Sequence, residues 1–294
     1  MKRFWIVMLL AGWIEISSAA EAGVQALVWA QKERDGAMAA VSSAEKRLEA
    51  AQSDLRVAQA VQNDPQTAKD PDASAVAREA VRVSHQGVRE AEGLLERARV
   101  LLRKKEHFLR SVREAASSGK GNEGIFIPTG GEVKRSWNGV VSDADTPALL
   151  RAGERVDVGR GGSAKLFVAG GDAEVDVGEN SSFSVNREGE GGFEALLSDG
   201  VAHVKAKLKH YFGKKFEVRT PAAVCAVRGT EFTLSHHSWG SRIEVFEGTV
   251  SVRTPSSQTV IEVHAAQGCD ILNDKGVQPP TALKDRQGGA HDPR

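Results

Sequence analysis

A helical hairpin followed by an antiparallel β domain is the fold class this sequence predicts, and three observations predict it. Composition changes near residue 119: Ala, Glu, Arg and Gln dominate residues 23–118, whereas Gly, Val, Thr and Phe are enriched afterwards. Apolar residues recur at three-four spacing in the first part and at alternate positions in the second. Two prolines, Pro65 and Pro71, divide the helical part near its middle. A chain of 294 residues suits about two domains.

The first helical series runs through positions 27, 30, 34, 37, 41, 44, 48, 51, 55, 58 and 62, with only Arg34 and Gln62 polar. The second runs through 77, 81, 84, 88, 91, 95, 98, 102, 105, 109 and 112, with only Ser84 and Lys105 polar. Such heptads with charged flanks predict a coiled coil, and each series would extend about 53 Å. Equal lengths on either side of Asn63–Asp72 predict an antiparallel hairpin over 23–118. Its seam is rich in Ala, which adds little buried area, so self-association through the hairpin is an expected source of further stability. A plain spacer or stalk is the simpler role. A Gly-rich linker is expected over 119–129.

Beyond it, short alternating runs recur between Gly, Asp and Asn turns. They are 155–158, 164–168, 173–177, 182–185, 201–208, 215–218, 231–234, 242–246, 249–252 and 259–263. Period-two runs about ten residues apart predict an antiparallel sandwich, a jelly roll or a short β-solenoid. Residues 280–294, with Pro-Pro and Gly-Gly, are expected to form a disordered tail.

The N-terminus carries an export signal pattern over residues 1–20. Lys2 and Arg3 precede a mostly apolar run, Phe4–Ile14, and Ser18-Ala19-Ala20 offers small residues for cleavage near Ala20 or Ala22. Retention as an anchor is the alternative, although the run is short for a membrane span. The expected location is periplasmic or otherwise exported. There an oxidising milieu would permit a disulfide between Cys225 and Cys269, the alternative being two buried small hydrophobes.

The formal charge is zero, with 39 basic and 39 acidic residues, which argues against nucleic acid as a partner. No Gly-x-Ser-x-Gly elbow, His-Glu-x-x-His or similar motif places a nucleophile beside a base or gathers metal ligands. Gly159-Arg-Gly-Gly-Ser-Ala164 lacks the Lys-Ser/Thr ending of a phosphate loop and precedes a strand. His236 and His237 read as a polar loop with Trp239 capping it. Lys205, Lys207 and Lys209 form a stripe, with Lys214 and Lys215 behind. It reads as a solvated face or edge-strand protection, or as a contact for acidic glycans or lipid headgroups. No catalytic, cofactor-binding or metal-ligating residue is assigned, and no cofactor is expected.

The most informative stretch is Thr220-Pro-Ala-Ala-Val-Cys-Ala-Val-Arg-Gly-Thr-Glu-Phe232, followed by Val245-Phe-Glu-Gly-Thr-Val250. Pro221 should end a strand. Gly229 should adopt a positive φ or permit a close backbone approach at a bulge. Arg228 is expected to staple the turn, the alternative being an exposed reader of an anionic ligand. These segments resemble the FecR (iron-dicitrate regulator) periplasmic domain family. Leu149–Gly153, Gly161–Leu166, Val175–Phe183 and Leu197–Val201 extend the resemblance over roughly residues 130–272. It implies a jelly-roll-like antiparallel β-sandwich and a binding role in the bacterial envelope, not an enzyme. The full regulators add a cytoplasmic anti-sigma domain, a membrane span and a C-terminal receptor-contacting domain, none of which this chain is expected to carry. The leading expectation is therefore an exported binding or scaffold module with an unknown protein or glycan partner. The alternative is a periplasmic regulator contacting an outer-membrane receptor or membrane sensor.

Overall fold

The computed structural model describes residues 18–117, 124–189, 192–207, 215–227 and 229–283. The chain divides into two compact units, one from Ala26 to Glu114 and one containing all the strands. Most of the expected export segment lies outside the described residues.

Two helices, α1 (Ser18–Gln62) and α2 (Pro71–Ser117), make up the helical part. The chain leaves α1 through Pro65, which cannot continue a helix. It starts α2 at Pro71, where a proline is tolerated because the first-turn N–H groups have no intrahelical acceptor. Asp70 caps that start, its Oδ1 accepting the N–H groups of Asp72 (2.9 Å) and Ala73 (3.3 Å). Every position of both three-four series is buried or half-buried. Contacts between the helices run in opposite directions along the chain. Trp29 meets Phe108 edge-on at 5.8 Å, Glu33 pairs with Lys105 at 2.9 Å, and Glu45 pairs with Arg99 at 3.4 Å. Lys105, the charged member of its apolar series, thus reaches a carboxylate on the other helix.

Among the described residues, the second unit contains eighteen strands. β1 (Gly124–Gly130), β2 (Val133–Trp137), β3 (Val140–Asp143), β4 (Ala148–Leu150), β5 (Glu154–Val158) and β6 (Ser163–Val168) come first. β7 (Ala173–Val177), β8 (Ser181–Gly189), β9 (Gly192–Ala206), β10 (Lys215–Arg219), β11 (Val224–Val227) and β12 (Thr230–His237) follow. β13 (Gly240–Glu247), β14 (Thr249–Arg253), β15 (Ile261–His264), β16 (Gln267–Leu272), β17 (Gly276–Val277) and β18 (Thr281–Ala282) complete the unit. One sheet runs β4-β1-β6-β7-β9-β12-β13-β16, with β17 and β18 both on β16. The other runs β3-β2-β5-β8-β9-β10-β11-β14-β15. All these pairings are antiparallel except β9 with β10, which is parallel.

β9 belongs to both sheets. Its first half pairs with β8 and β10, and its second half, from Gly200, pairs with β7 and β12. Gly200 makes the switch possible. Its φ is +88°, and a Cβ there would lie 2.1 Å from Ser181 Oγ. The same Ser181 Oγ accepts the N–H of Val201 at 2.8 Å. Side chains from both sheets form one continuous core, including Phe126, Leu166 and Phe232 from one and Phe183, Phe193 and Phe216 from the other. Phe193 stacks on Phe216 at 4.8 Å, a contact of about 0.5–1.5 kcal/mol beyond area burial.

The structure corrects three boundaries. Residues 124–130, placed in the expected linker, form β1 between β4 and β6, with Ile125, Phe126 and Ile127 fully buried. Gly124 suits that position because a Cβ would lie 2.3 Å from the Phe167 carbonyl oxygen. Val224–Val227, outside the expected strand runs, form β11 between β10 and β14. The β unit continues past 272, since β18 pairs with β16 inside the expected tail; residues 284–294 lie outside the described ones. Cys225 and Cys269 are free thiols. Burial pushes Cys225 up to about 12 and Cys269 up to about 11. Of the two readings of these cysteines, the structure therefore matches the buried hydrophobes.

Candidate interaction surface

The Thr220–Phe232 stretch builds an internal fastening. β10 ends at Arg219, ahead of Pro221. Thr220 Oγ1 accepts the N–H groups of Ala222 (3.2 Å) and Ala223 (2.9 Å), closing the turn into β11. Its hydroxyl also shares a 2.6 Å hydrogen bond with Ser241 Oγ, which lies 2.9 Å from Nδ1 of His236. All three side chains are buried, Ser241 completely. A turn of one sheet is thereby tied to the β12–β13 hairpin of the other. A serine beside an imidazole is also the arrangement of a nucleophile and its base, but full burial denies Ser241 a substrate. Burial holds His236 below the ordinary imidazole range, and nearby His237 adds to this, while Asp199 and a backbone hydrogen bond at Gly240 oppose it. Gly229 takes φ +64°, and the β12–β13 pairing shifts register at Glu231/Phe232. Arg228 lies outside the described residues.

The exposed side of the first sheet carries a band of alternating charge. Lys165, Asp176 and His203 are register neighbours across β6, β7 and β9, as are Glu174, Lys205 and Glu231 across β7, β9 and β12. Lys165 contacts Glu174 and lies 2.6 Å from Asp176. Glu231 receives Lys205 at 3.0 Å and His203 at 3.1 Å. Burial pushes the Glu231 carboxyl up, but the Lys205 and His203 hydrogen bonds outweigh it and hold the group below the usual range. Lys205 is raised in return, chiefly by its hydrogen bond to Glu231. The expected lysine stripe is thus embedded among carboxylates at Lys205. Its edge-protection reading fails, because β9 is flanked by β7 and β12. Lys207 is exposed, while Lys209 and Lys214 lie outside the described residues.

The second sheet ends in a feature that the strand patterns above do not include. β2 and β3 form a hairpin through Asn138 (φ +49°) and Gly139 (φ +78°), the left-handed pair that a tight two-residue turn requires. The Asn-Gly dipeptide between Trp137 and Val140 is the sequence signal that locates it. Every residue of β3 is exposed, Val140 by 70% and Val141 by 58%. Among the described residues, β3 pairs only with β2, which leaves its outer edge open. Trp137 is held in place by the Arg151 guanidinium, 4.6 Å from its ring. Beneath the hairpin, Arg135 makes a 2.5 Å ion pair with buried Glu154 and donates to the Leu149 carbonyl at 2.6 Å. The other Glu154 oxygen accepts the Arg151 N–H at 2.9 Å. Arg135 and Glu154 therefore brace the hairpin from inside.

The remaining candidates resolve into structure. In Gly159–Ala164 the Gly161 N–H is taken by the Glu179 carboxylate at 2.7 Å, placing negative charge where a phosphate would have to sit. Trp239 is half-buried beside His237, and Asn273 donates to the Ser238 carbonyl at 2.9 Å, so this loop is capped. Among the described residues no group of three His, Cys, Asp or Glu is placed to hold a metal ion.

A two-sheet β module with an internally fastened motif, joined to a pair of long helices, is the class of protein these features define. Within it, residues 154–251, from β5 into β14, match the family model described as FecR protein. That stretch is a FecR region, in agreement with the resemblance carried by Thr220–Phe232. No curated protein matches the sequence. Two crystal structures of a candidate anti-sigma factor from Parabacteroides distasonis ATCC 8503, at 1.65 Å and 2.50 Å resolution, are similar to the chain. Each shows 20% identity and a TM-score of 0.38, over 44% of this chain and 59% of the other. A superposition this loose transfers neither fold class nor activity.

Proposed function

We propose that the chain is a FecR-type signalling protein of the cell envelope, in which the β unit receives a partner and the helices set its reach. The FecR match over residues 154–251 carries this reading and favours it over a passive scaffold. The export pattern of residues 1–20, with cleavage near Ala20 or Ala22, supports a periplasmic location. No described helix is long and apolar enough to cross a membrane. In this reading the helices pack as an antiparallel coiled coil, supported by the burial of both three-four series. The β unit is a jelly-roll-like sandwich, supported by two sheets sharing one core. The partner contributes an extended apolar strand to the open edge of β3, with Trp137 as anchor. The protein works by binding, without catalysis or cofactor.

The test is made in cells with the full chain. A photo-crosslinker at Val141, with Val260 as control, should capture an envelope receptor or sensor. Deleting the chain should change transcription of a defined gene set, and Val141→Lys should abolish both capture and response. A chain whose loss leaves transcription unchanged, and whose Val141 position captures only glycan or structural protein, would return the reading to a scaffold.

A further inference from the structure

The loop end of the helical unit carries an apolar face that the α1–α2 seam does not use. At that end Ala58 and Ala77 are buried between the helices, with Leu55 and Val81 half-buried beside them. Beside it stand Val57 and Val61 on α1 and Val76 and Val83 on α2, exposed by 62%, 51%, 71% and 53%. Val57 and Val76 each immediately precede a seam alanine, and on antiparallel helices positions so placed fall on the same side. They do: Val57, Val61 and Val76 line one shallow groove of about 580 Å³ whose floor includes Ala58, Ala73 and Ala77. Val76 and Val83 continue into a second depression along α2. A valine ridge and an alanine groove thus lie side by side on one face.

Three properties select the occupant. First, ridge and groove are complementary to each other, so a copy rotated by a two-fold axis offers the ridge to the partner's groove and the groove to its ridge. Second, the face is continuous with the α1–α2 seam, so a second pair of helices would extend an interface the chain already makes into a four-helix arrangement. Third, the charges around it are mixed. Asp54 borders the α1 ridge, Arg78 and Arg82 lie on α2, and Arg82 is paired with Glu79 at 2.6 Å. Such a rim lacks the cationic cluster that anionic lipid or nucleic acid requires, and it sets acid on α1 against base on α2 when copies pack α1 to α2.

We infer that the helical unit is a self-association device: two copies of the chain join through this loop-end face, each inserting its valine ridge into the other's alanine groove. The inference is independent of the signalling reading, since a dimer would form whether or not a partner occupies β3. It is tested by sedimentation velocity and light scattering on the full chain over a range of concentrations. Wild type should form a reversible dimer. Val61→Asp and Val76→Asp should each weaken it on the order of tenfold, and together more, with helix content unchanged and the melting temperature unchanged at dilutions where wild type is monomeric. Val28→Asp, at a 60% exposed valine remote from the groove along α1, should remain dimeric. A wild-type chain that stays monomeric throughout overturns the inference. So does a dimer indifferent to both loop-end substitutions, or a monomer that binds phosphatidylcholine–phosphatidylglycerol vesicles through these valines.

Discussion

Gly248 approaches the carbonyl of Gly229 so closely that a Cβ on Gly248 would sit 2.5 Å from that oxygen. Both glycines have positive φ, +80° for Gly248 and +64° for Gly229, but only Gly248 is crowded; a Cβ on Gly229 would meet open space. The Arg-Gly-Thr and Glu-Gly-Thr segments of the sequence motif are therefore two sides of one backbone contact.

Alanine at the two positions should separate conformational strain from steric exclusion. Gly229→Ala should lose about 1–2 kcal/mol, the usual penalty for a left-handed L-residue. Gly248→Ala carries the same penalty and must also displace backbone, so its loss should be larger by at least about 1 kcal/mol. Thermal unfolding measures both, at about 2–4 °C per kcal/mol for a unit of this size. Equal melting temperatures would remove the close approach as the reason for Gly248.

Arg135 and Glu154 form a largely buried ion pair in the β unit, with side chains 16% and 4% exposed. Removing one partner leaves a buried charge alone, so Arg135→Ala should lower stability by about 3–5 kcal/mol. The joint replacement Arg135→Met with Glu154→Leu should recover most of that loss. Lys205→Ala, which breaks a half-exposed pair with Glu231, should lose no more than about 1 kcal/mol. Chemical denaturation of the three variants ranks them, and a Lys205 effect as large as that of Arg135 would contradict the burial argument.

His236 gives the fold a defined acid response. Its folded pKa lies below the ordinary 6.5, so on acidification the unfolded chain takes up the proton first. Stability from this residue is complete above that value and declines as pH falls below it. The melting temperature should drop between about pH 7.5 and about pH 5.5, and His236→Gln should reduce the drop. An identical pH profile for the variant would assign the acid sensitivity to other groups.

Cys225 and Cys269, both buried with thiol pKa values raised to about 12 and about 11, should resist alkylation in the native protein and react fully in denaturant. Rapid labelling of either in the folded chain, read by mass spectrometry, would place it at an accessible surface.

Much of the fold is legible because burial leaves a periodic trace. The three-four series locate the sides of α1 and α2 that face inward, and the alternating run 173–177 coincides with β7. β1 escapes the alternation rule because Ile125, Phe126 and Ile127 are all buried and no polar residue marks an outward side. β11 is hidden because Val224 and Cys225 are both buried in succession, straight after the small-residue turn at Ala222 and Ala223, so no alternation marks it. The change of sheets at Gly200 leaves only a change of phase in β9: Phe193, Ala195 and Leu197 are buried before it and Ala202, Val204 and Ala206 after it, with Ser198 and Asp199 both outside the core. The candidate surface divides in the same way. Asn138-Gly139 announces the hairpin locally, whereas nothing near Arg135 in the sequence points to Glu154.

The strand common to both sheets limits how this protein can be taken apart. Each sheet holds one half of β9, and both sheets share one core, so melting of either would expose the buried side of the other. The β unit should therefore unfold as a single block, without a half-native intermediate. Excising residues 154–251 alone would remove β1 and β2, the partners of β6 and β5, together with β15 and β16, the partners of β14 and β13. The region that the family match delimits, residues 154–251, is thus a portion of a ladder that runs from β1 to β18.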